Sequence, residues 1–182
     1  MHTTSLDERT YLRLPEESDA EEIYAVVSAN RAYLSRWMPW APNQTLEATL
    51  EFIRASRKQV ADNQGFQTLI VQDGAIVGVL GVHSIDWENR STTVGYWIAE
   101  EAQGRGTVTR AVAALVDHAL RVWRLNRVEI RAAVDNERSR AVPRRLGFVE
   151  EGVHRQSERL RDRYVDHVVY AMLAEDWFGG TG

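Results

Sequence analysis

The chain has 182 residues, 44% of them hydrophobic and 26% charged, a length for one domain with a real core and a composition that argues against disorder. Lys and Arg number 22 against 26 Asp and Glu, a net charge of −4, which disfavours a non-specific nucleic-acid binder. There is no Cys, so disulfides, thiolate nucleophiles and Cys-based metal centres are all excluded. No apolar run approaches about 18 residues, and Met1–Arg13 shows no basic stretch followed by an apolar one. The expectation is a cytoplasmic protein folded as a single domain over residues 1–182.

Thr10–Leu14 alternates and predicts a short strand ended by Pro15. Ser18, with Glu21 three residues on, predicts a capping box for a helix reaching Asn30 with Ile23, Val26 and Val27 on one face. A second helical piece covers Ala32–Trp37. Thr45 caps a helix to Asp62, with Leu46, Leu50, Ile53 and Val60 apolar. Phe66–Gln72, Ile76–Ile85 and Thr92–Ala99 read as strands, the first two joined by the Asp73-Gly74 turn and all three antiparallel. Gly78 and Gly81 mark bulges or close approach. A helix over Val108–Val122 follows, then a strand over Arg127–Val134. Asn136–Leu146 is a helix closed by Gly147, and Phe148–Glu151 and Val165–Leu173 are two last strands. The order predicts an α+β or mixed α/β domain on one central sheet.

Charge is unevenly spread. Residues 1–51 hold nine acids against four bases, a local −5; residues 104–145 hold ten Arg against four acids, a local +6. The basic stretch suits an anionic ligand and the acidic one a cationic partner, although two solvated faces would give the same counts.

Gln103-Gly104-Arg105-Gly106-Thr107-Val108-Thr109 lies between a predicted strand and a predicted helix. Glycines let backbone N–H groups turn toward a ligand, and a helix N-terminus adds unpaired N–H groups and partial positive charge. The combination fits a phosphate or pyrophosphate, and equally an ordinary strand-to-helix turn. It is neither a P-loop, having no Lys, nor a G-x-G-x-x-G fingerprint, since Thr109 stands where the third glycine belongs. Asn136 opens the later helix as an N-cap, and Ser139 stands one turn on. Pro143 removes a hydrogen bond inside that helix, which suggests a kink or an unusual first turn.

The order strand, Q-G-R-G-x-x-T, helix, strand, N-x-x-S-x-x-x-x-x-L-G-F resembles the Gcn5-related N-acetyltransferases (GNAT). Arg36-Trp37-Met38-Pro39-Trp40 resembles the R-W-L-P-W segment of the RimJ/RimL branch, the ribosomal-protein N-terminal acetyltransferases. Tyr96-Trp97-Ile98, Arg127-Val128-Glu129-Ile130, the run from Leu146 to Gly152 and the run from Asp166 to Leu173 resemble it as well. The likeness covers about Tyr11 to Trp177. Departures are Val108 in place of Gly or Ala, Arg110 in place of Glu, and Pro143 in place of a plain helix former.

The resemblance implies a GNAT fold: one mixed, mostly antiparallel sheet splayed between two parallel strands, here Thr92–Ala99 and Arg127–Val134, with helices on both faces. A bulge in the first of these would free backbone groups at Tyr96, Trp97 and Ile98 for the pantetheine arm of acetyl-CoA. Gln103, Gly104, Arg105, Gly106, Thr107, Val108 and Thr109 would hold the pyrophosphate, and Asn136 and Ser139 the thioester end, with no metal. Ser139 maps to the proposed acid for the leaving thiolate, and Glu158 to the proposed base. Trp37 and Trp40 fall on the acceptor side, to which the acidic N-terminal region would also contribute. The implied reaction is direct attack of a primary amine on the thioester, most readily the α-amine of a protein or peptide N-terminus. A small amine (antibiotic, polyamine or metabolite), succinyl transfer, or a non-catalytic CoA-binding module are the alternatives. The branch also implies a homodimer, with no membrane or nucleic-acid partner. His83 and His118 read as core or edge residues, and His154 and His167 lie near the predicted site strands.

Overall fold

The computed structural model describes residues 3–179. In chain order the elements are β1 (Thr4–Ser5), β2 (Thr10–Arg13), α1 (Ala20–Ala29), α2 (Arg31–Leu34), α3 (Leu46–Ala61), β3 (Phe66–Gln72), β4 (Ala75–Asp86), β5 (Ser91–Ile98), α4 (Thr107–Arg121), β6 (Arg127–Ala133), α5 (Glu137–Arg145), β7 (Val149–Leu160), β8 (Arg163–Leu173) and α6 (Ala174–Gly179). The strands form one sheet in the order β1-β2-β3-β4-β5-β6-β8-β7. Neighbours are antiparallel except β5 and β6, which run parallel and are joined through α4. A mixed sheet with helices on both faces is therefore what the sequence predicts and what the chain forms.

Strand alternation divides the core into two layers. Ile70, Leu80, Val94, Val128, Ile130 and Val168 face α4 and α5, where Val112, Leu115 and Val116 pack on them. Leu69, Val71 and Val79 face the other way, toward Ile23 and Val27 of α1 and Ile53 of α3. Side chains two apart share a face of a strand, so each run of consecutive apolar residues serves both layers. No helix among the described residues is long and apolar enough to cross a membrane.

Several local expectations are corrected. The reciprocal cap before α1 belongs to Glu16 and Asp19, not Ser18 and Glu21. The Glu16 N–H donates to the Asp19 carboxylate at 2.7 Å, a short 3-10 turn spans Glu17–Asp19, and α1 starts at Ala20. Arg13 holds the same carboxylate in a bidentate pair, which fixes the box there. In α3 the buried line is Thr49, Ile53 and Ser56, while Leu46 and Val60 are exposed. The hydroxyls of Thr49 and Ser56 donate to the carbonyls of Thr45 and Phe52 at 2.9 and 2.8 Å, so they enter the interface satisfied by their own helix. Thr45 caps α3 as expected, accepting from the Ala48 N–H.

The strand expected at Phe148–Glu151 continues to Leu160, pairs with β8 as a long hairpin, and is almost wholly exposed. An exposed strand held by backbone pairing and polar side-chain contacts has no apolar alternation to announce it. The expected bulge in β5 is absent. The irregularity lies in β4, where Val82 and Ile85 pair with Val94 and Thr92, so β4 carries the extra residue.

Leu115 is fully buried at the centre of α4. Leu115→Ala should lower the unfolding free energy by about 2–5 kcal/mol, read from urea denaturation. A loss within experimental scatter would show that α4 is not a core element.

Candidate active site

The parallel pairing of β5 and β6 runs only from Ser91↔Arg127 to Val94↔Ile130. Beyond it β5 stays in register with β4 through Ile98, while β6 stays in register with β8 through Ala133. The sheet therefore splits. The β6-facing backbone of Tyr96, Trp97 and Ile98 is left without a strand partner, by divergence rather than by a bulge. Two clefts meet at the split. One, of about 850 Å³, lies on the α4/α5 face and is lined by Tyr96, Ile98, Gln103, Gly104, Gly106, Thr107, Val108, Thr109 and the first turns of α5. The other, of about 590 Å³, lies on the α1/α3 face. Trp37, Met38, Tyr96, Trp97, Asn136 and Ser139 line both.

At the entrance to α4 the chain takes left-handed backbone at Gly104 (φ +76°) and Gly106 (φ +71°), conformations that a Cβ would strain. Gly106 is the residue before the helix and supplies no side-chain cap, so the first-turn amides of α4 keep their donors for a ligand. The Thr107 hydroxyl is buried and has no hydrogen-bond partner among the described residues. Such a hydroxyl costs stability unless something else accepts or donates to it, and an anion at this helix N-terminus would do so. The loop thus fits a pyrophosphate. Arg105 departs from expectation. It is exposed and does not line the cleft, and its carbonyl accepts from Arg110 at 3.0 Å. Arg110, which does line the cleft, is held by Asp7 at 3.0 Å.

α5 forms the second wall. Asn136 is its N-cap, accepting from the Ser139 N–H at 3.2 Å. Gly147 (φ +78°) follows its C-cap, as the sequence suggests. The helix runs through Pro143 as one element. Arg138, Ala141, Val142 and Arg145 present one face to the cleft, and Arg138 donates to the Gln103 side chain at 2.5 Å. The arginines at 138 and 145 are absent from the sequence expectations. Their seven-residue spacing, two helical turns from one another, was the signal available.

Across the split, the Tyr96 phenol donates to the Ser139 carbonyl at 2.9 Å, and the Ser139 hydroxyl donates to the phenol oxygen at 3.3 Å. Burial pushes the Tyr96 phenol well above its ordinary pKa, so it keeps its proton throughout the physiological range.

On the α1/α3 face, Trp37 and Trp40 line the second cleft, and Trp40 stands 6.1 Å from Trp97 with the rings tilted by 58°. Glu158 also lines it and pairs with His167, Nε2 to Oε2 at 3.3 Å, rather than with Arg159 or Arg161. His83 lies here too. A Cβ on Gly95 would stand 2.2 Å from its ring, so glycine leaves the room that the imidazole occupies. His83 therefore belongs to the cleft, which its apolar sequence surroundings concealed, and so does His167, which the sequence places near the site strands. Among the described residues, Glu158 is the one carboxylate lining this cleft, and no acid of residues 1–51 lines it. Asp7, Glu17 and Asp19 are ion-paired with Arg110, Arg54 and Arg13, and Glu22 accepts from the Ile76 N–H.

A split sheet with a glycine-bearing, uncapped helix N-terminus at its mouth is the architecture of a CoA-dependent acyltransferase. The family described as the acetyltransferase (GNAT) domain matches residues 9–149. The chain is 38% identical over 181 residues to a putative ribosomal N-acetyltransferase, YdaF, of Bacillus subtilis (strain 168), covering 98% of this chain and 99% of that protein. It is 28% identical over 174 residues to the ribosomal-protein-serine acetyltransferase of Escherichia coli (strain K12), covering 95% and 97%. The structure of RimL, a ribosomal L7/L12 alpha-N-protein acetyltransferase in complex with coenzyme A, superposes with a TM-score of 0.91 at 28% identity, covering 96% of this chain and 99% of that one. The chain belongs to the GNAT family, in its RimJ/RimL-type branch, and is an acetyl-CoA-dependent N-acetyltransferase.

Thr107→Val removes the orphaned hydroxyl at nearly constant volume. The variant should unfold at the same or higher urea concentration, while its Kd for coenzyme A by calorimetry should rise about tenfold. An unchanged Kd would show that no ligand uses the hydroxyl.

Proposed function

We propose that the protein transfers an acetyl group to the α-amine of a protein or peptide N-terminus. Acetyl-CoA supplies the activated acetyl thioester. The observation that carries the reading is that Asn136 and Ser139 line both clefts at the split, where a thioester entering from the α4/α5 face meets an amine entering from the other. In this reading the unpaired backbone of Tyr96–Ile98 binds the pantetheine arm, and the Gln103–Thr109 loop binds the pyrophosphate with Arg138 and Arg145 beside it. Trp37 and Trp40 receive the first residue of the acceptor.

Direct transfer needs the amine neutral and the leaving thiolate protonated. An α-amine, with a pKa of about 7.7–8.0, is partly neutral at pH 7, unlike Lys at about 10.4. Glu158 takes the proton that the amine loses, with His167 beside the carboxylate; Ser139 Oγ turns its proton from Tyr96 to the thiolate and is reprotonated from solvent, to which Glu158 releases the amine's proton. The relatives named as ribosomal-protein acetyltransferases support this class of acceptor. We also propose that the protein works in the cytoplasm, and that it dimerises. The exposed twelve-residue edge strand β7, with Val149 and Val153 uncovered, supports self-pairing, and sedimentation as a monomer at micromolar concentration would refute it.

Calorimetry with acetyl-CoA, succinyl-CoA and free CoA comes first, followed by turnover on peptides with free and blocked N-termini. Acetyl transfer to the free peptides alone supports the reading. A preference for succinyl-CoA, or transfer only to small amines, replaces it with the corresponding alternative. Ser139→Ala should lower kcat by about 10²-fold or more. Glu158→Gln should lower kcat about 10²-fold at about pH 8.5, where the α-amine is already mostly neutral, because only the deprotonated carboxylate accepts a proton, and an unchanged kcat there removes Glu158 as the base.

A further inference from the structure

In an α-helix the carbonyl of residue i accepts from the N–H of residue i+4. For Ser139 that residue is Pro143, which is buried inside α5 and has no N–H. The helix therefore leaves the Ser139 carbonyl without its usual donor, and Tyr96 of β5 supplies one at 2.9 Å from the opposite wall of the split. A phenol has a single proton. Once that proton is committed to the carbonyl, the phenol oxygen is left as an acceptor, and the Ser139 hydroxyl lies 3.3 Å from it.

We propose that Pro143 reserves the Ser139 carbonyl for Tyr96, and that Tyr96 is thereby the positioning residue that sets the Ser139 hydroxyl in the split. The inference rests on Ser139 acting as the proton donor to the thiolate. It assigns a purpose to Pro143, and it makes the Tyr96 side chain, and not only its backbone, part of the machinery. A phenol that merely satisfied itself in the core would have no stake in residue 143.

The test is a double-mutant cycle in the full chain, measuring kcat and KM with acetyl-CoA and a free-amine peptide. Tyr96→Phe should lower kcat about tenfold with KM for acetyl-CoA changed less than about twofold. In the Pro143→Ala background, where residue 143 again offers an N–H to the Ser139 carbonyl, the same Tyr96→Phe change should cost less than about threefold. If Pro143→Ala does not fold, Pro143→Met restores the same N–H with an adaptable side chain. Equal losses in both backgrounds overturn the link to Pro143, and an unchanged kcat in Tyr96→Phe overturns the positioning role. If Ser139→Ala keeps full turnover, the proton-donor reading fails and the proposal with it. If Ser139→Ala is impaired but the cycle shows no coupling, only the proposal fails.

Discussion

Two parallel strands that part after four residue pairs leave a run of backbone polar groups inside the protein without a ladder. Buried N–H and C=O groups must be paired, so the split between β5 and β6 has to be occupied by something other than a strand. Both helices that follow the strands, α4 after β5 and α5 after β6, begin at the carboxyl ends of the parallel pair. A ligand crevice at that end is the general outcome where neighbouring strand connections diverge. The glycines before α4 and the Asn136 cap of α5 are local solutions to starting a helix there, one leaving amides free and one tying them up.

Electrostatics sharpens this picture because net counts mislead. Ten Arg fall between residues 104 and 145, yet Arg110, Arg121, Arg127, Arg131, Arg140 and Arg144 are each within ion-pair distance of a carboxylate. Arg127 and Glu151 link β6 to the edge strand β7, and the Glu151 carboxyl lies below its usual range because Arg127 hydrogen-bonds it. Among the described residues, Arg105, Arg124, Arg138 and Arg145 take part in no ion pair, and of these only Arg138 and Arg145 line the cleft beside the α4 loop. The positive field available to an anion thus comes from two residues of α5 and a helix N-terminus, not from the segment's total. Of the N-terminal acids, Asp7, Glu17 and Asp19 are ion-paired and Glu22 accepts from a backbone N–H, and none of the nine lines the second cleft, so among the described residues Glu158 is the carboxylate that gives it negative charge.

What the sequence made legible follows from which side chains are buried. β3, β4, β5, α4 and β6 were placed within a residue or two because each carries an apolar pattern of the right period against one core. The Ser18 cap failed because Asp19 had a stronger claim: it accepts from the Glu16 N–H and pairs with Arg13 at once, which sequence spacing cannot reveal. The α3 face failed because Thr49 and Ser56, polar by type, bury well once their hydroxyls bond their own helix. The long hairpin failed because β7 has no buried face to pattern. The candidate site divides in the same way. Its contiguous parts, Gln103–Thr109 and Asn136–Ser139, stand out in the sequence. The pairings made through strand register do not: that His167, itself expected near the site strands, meets Glu158, and that His83 lies over Gly95.

The two-faced geometry limits how transfer can proceed on the proposed reading. A donor thioester and an acceptor amine that share one pocket must enter in turn or pass one another. Clefts on opposite faces of a split sheet let both bind fully and meet only at the gap, where proximity removes most of the entropic barrier. The residues at the gap must then face both ways. A helix N-terminus can do so because its first turn is not yet enclosed by its own ladder, and Ser139 lies in that turn. The cost is a serine whose N–H is held by Asn136 but whose carbonyl receives no hydrogen bond from its own helix, because residue 143 is Pro. A contact from β5 is a constraint on that carbonyl that does not close the gap, because it spans the split at the depth of a side chain and leaves the backbone edges free. Tyr96 has the reach, the burial and the protonation state for that contact, and a smaller or apolar residue at the same position would leave Ser139 without it, since the other link between the walls, Arg138 to Gln103, does not touch Ser139.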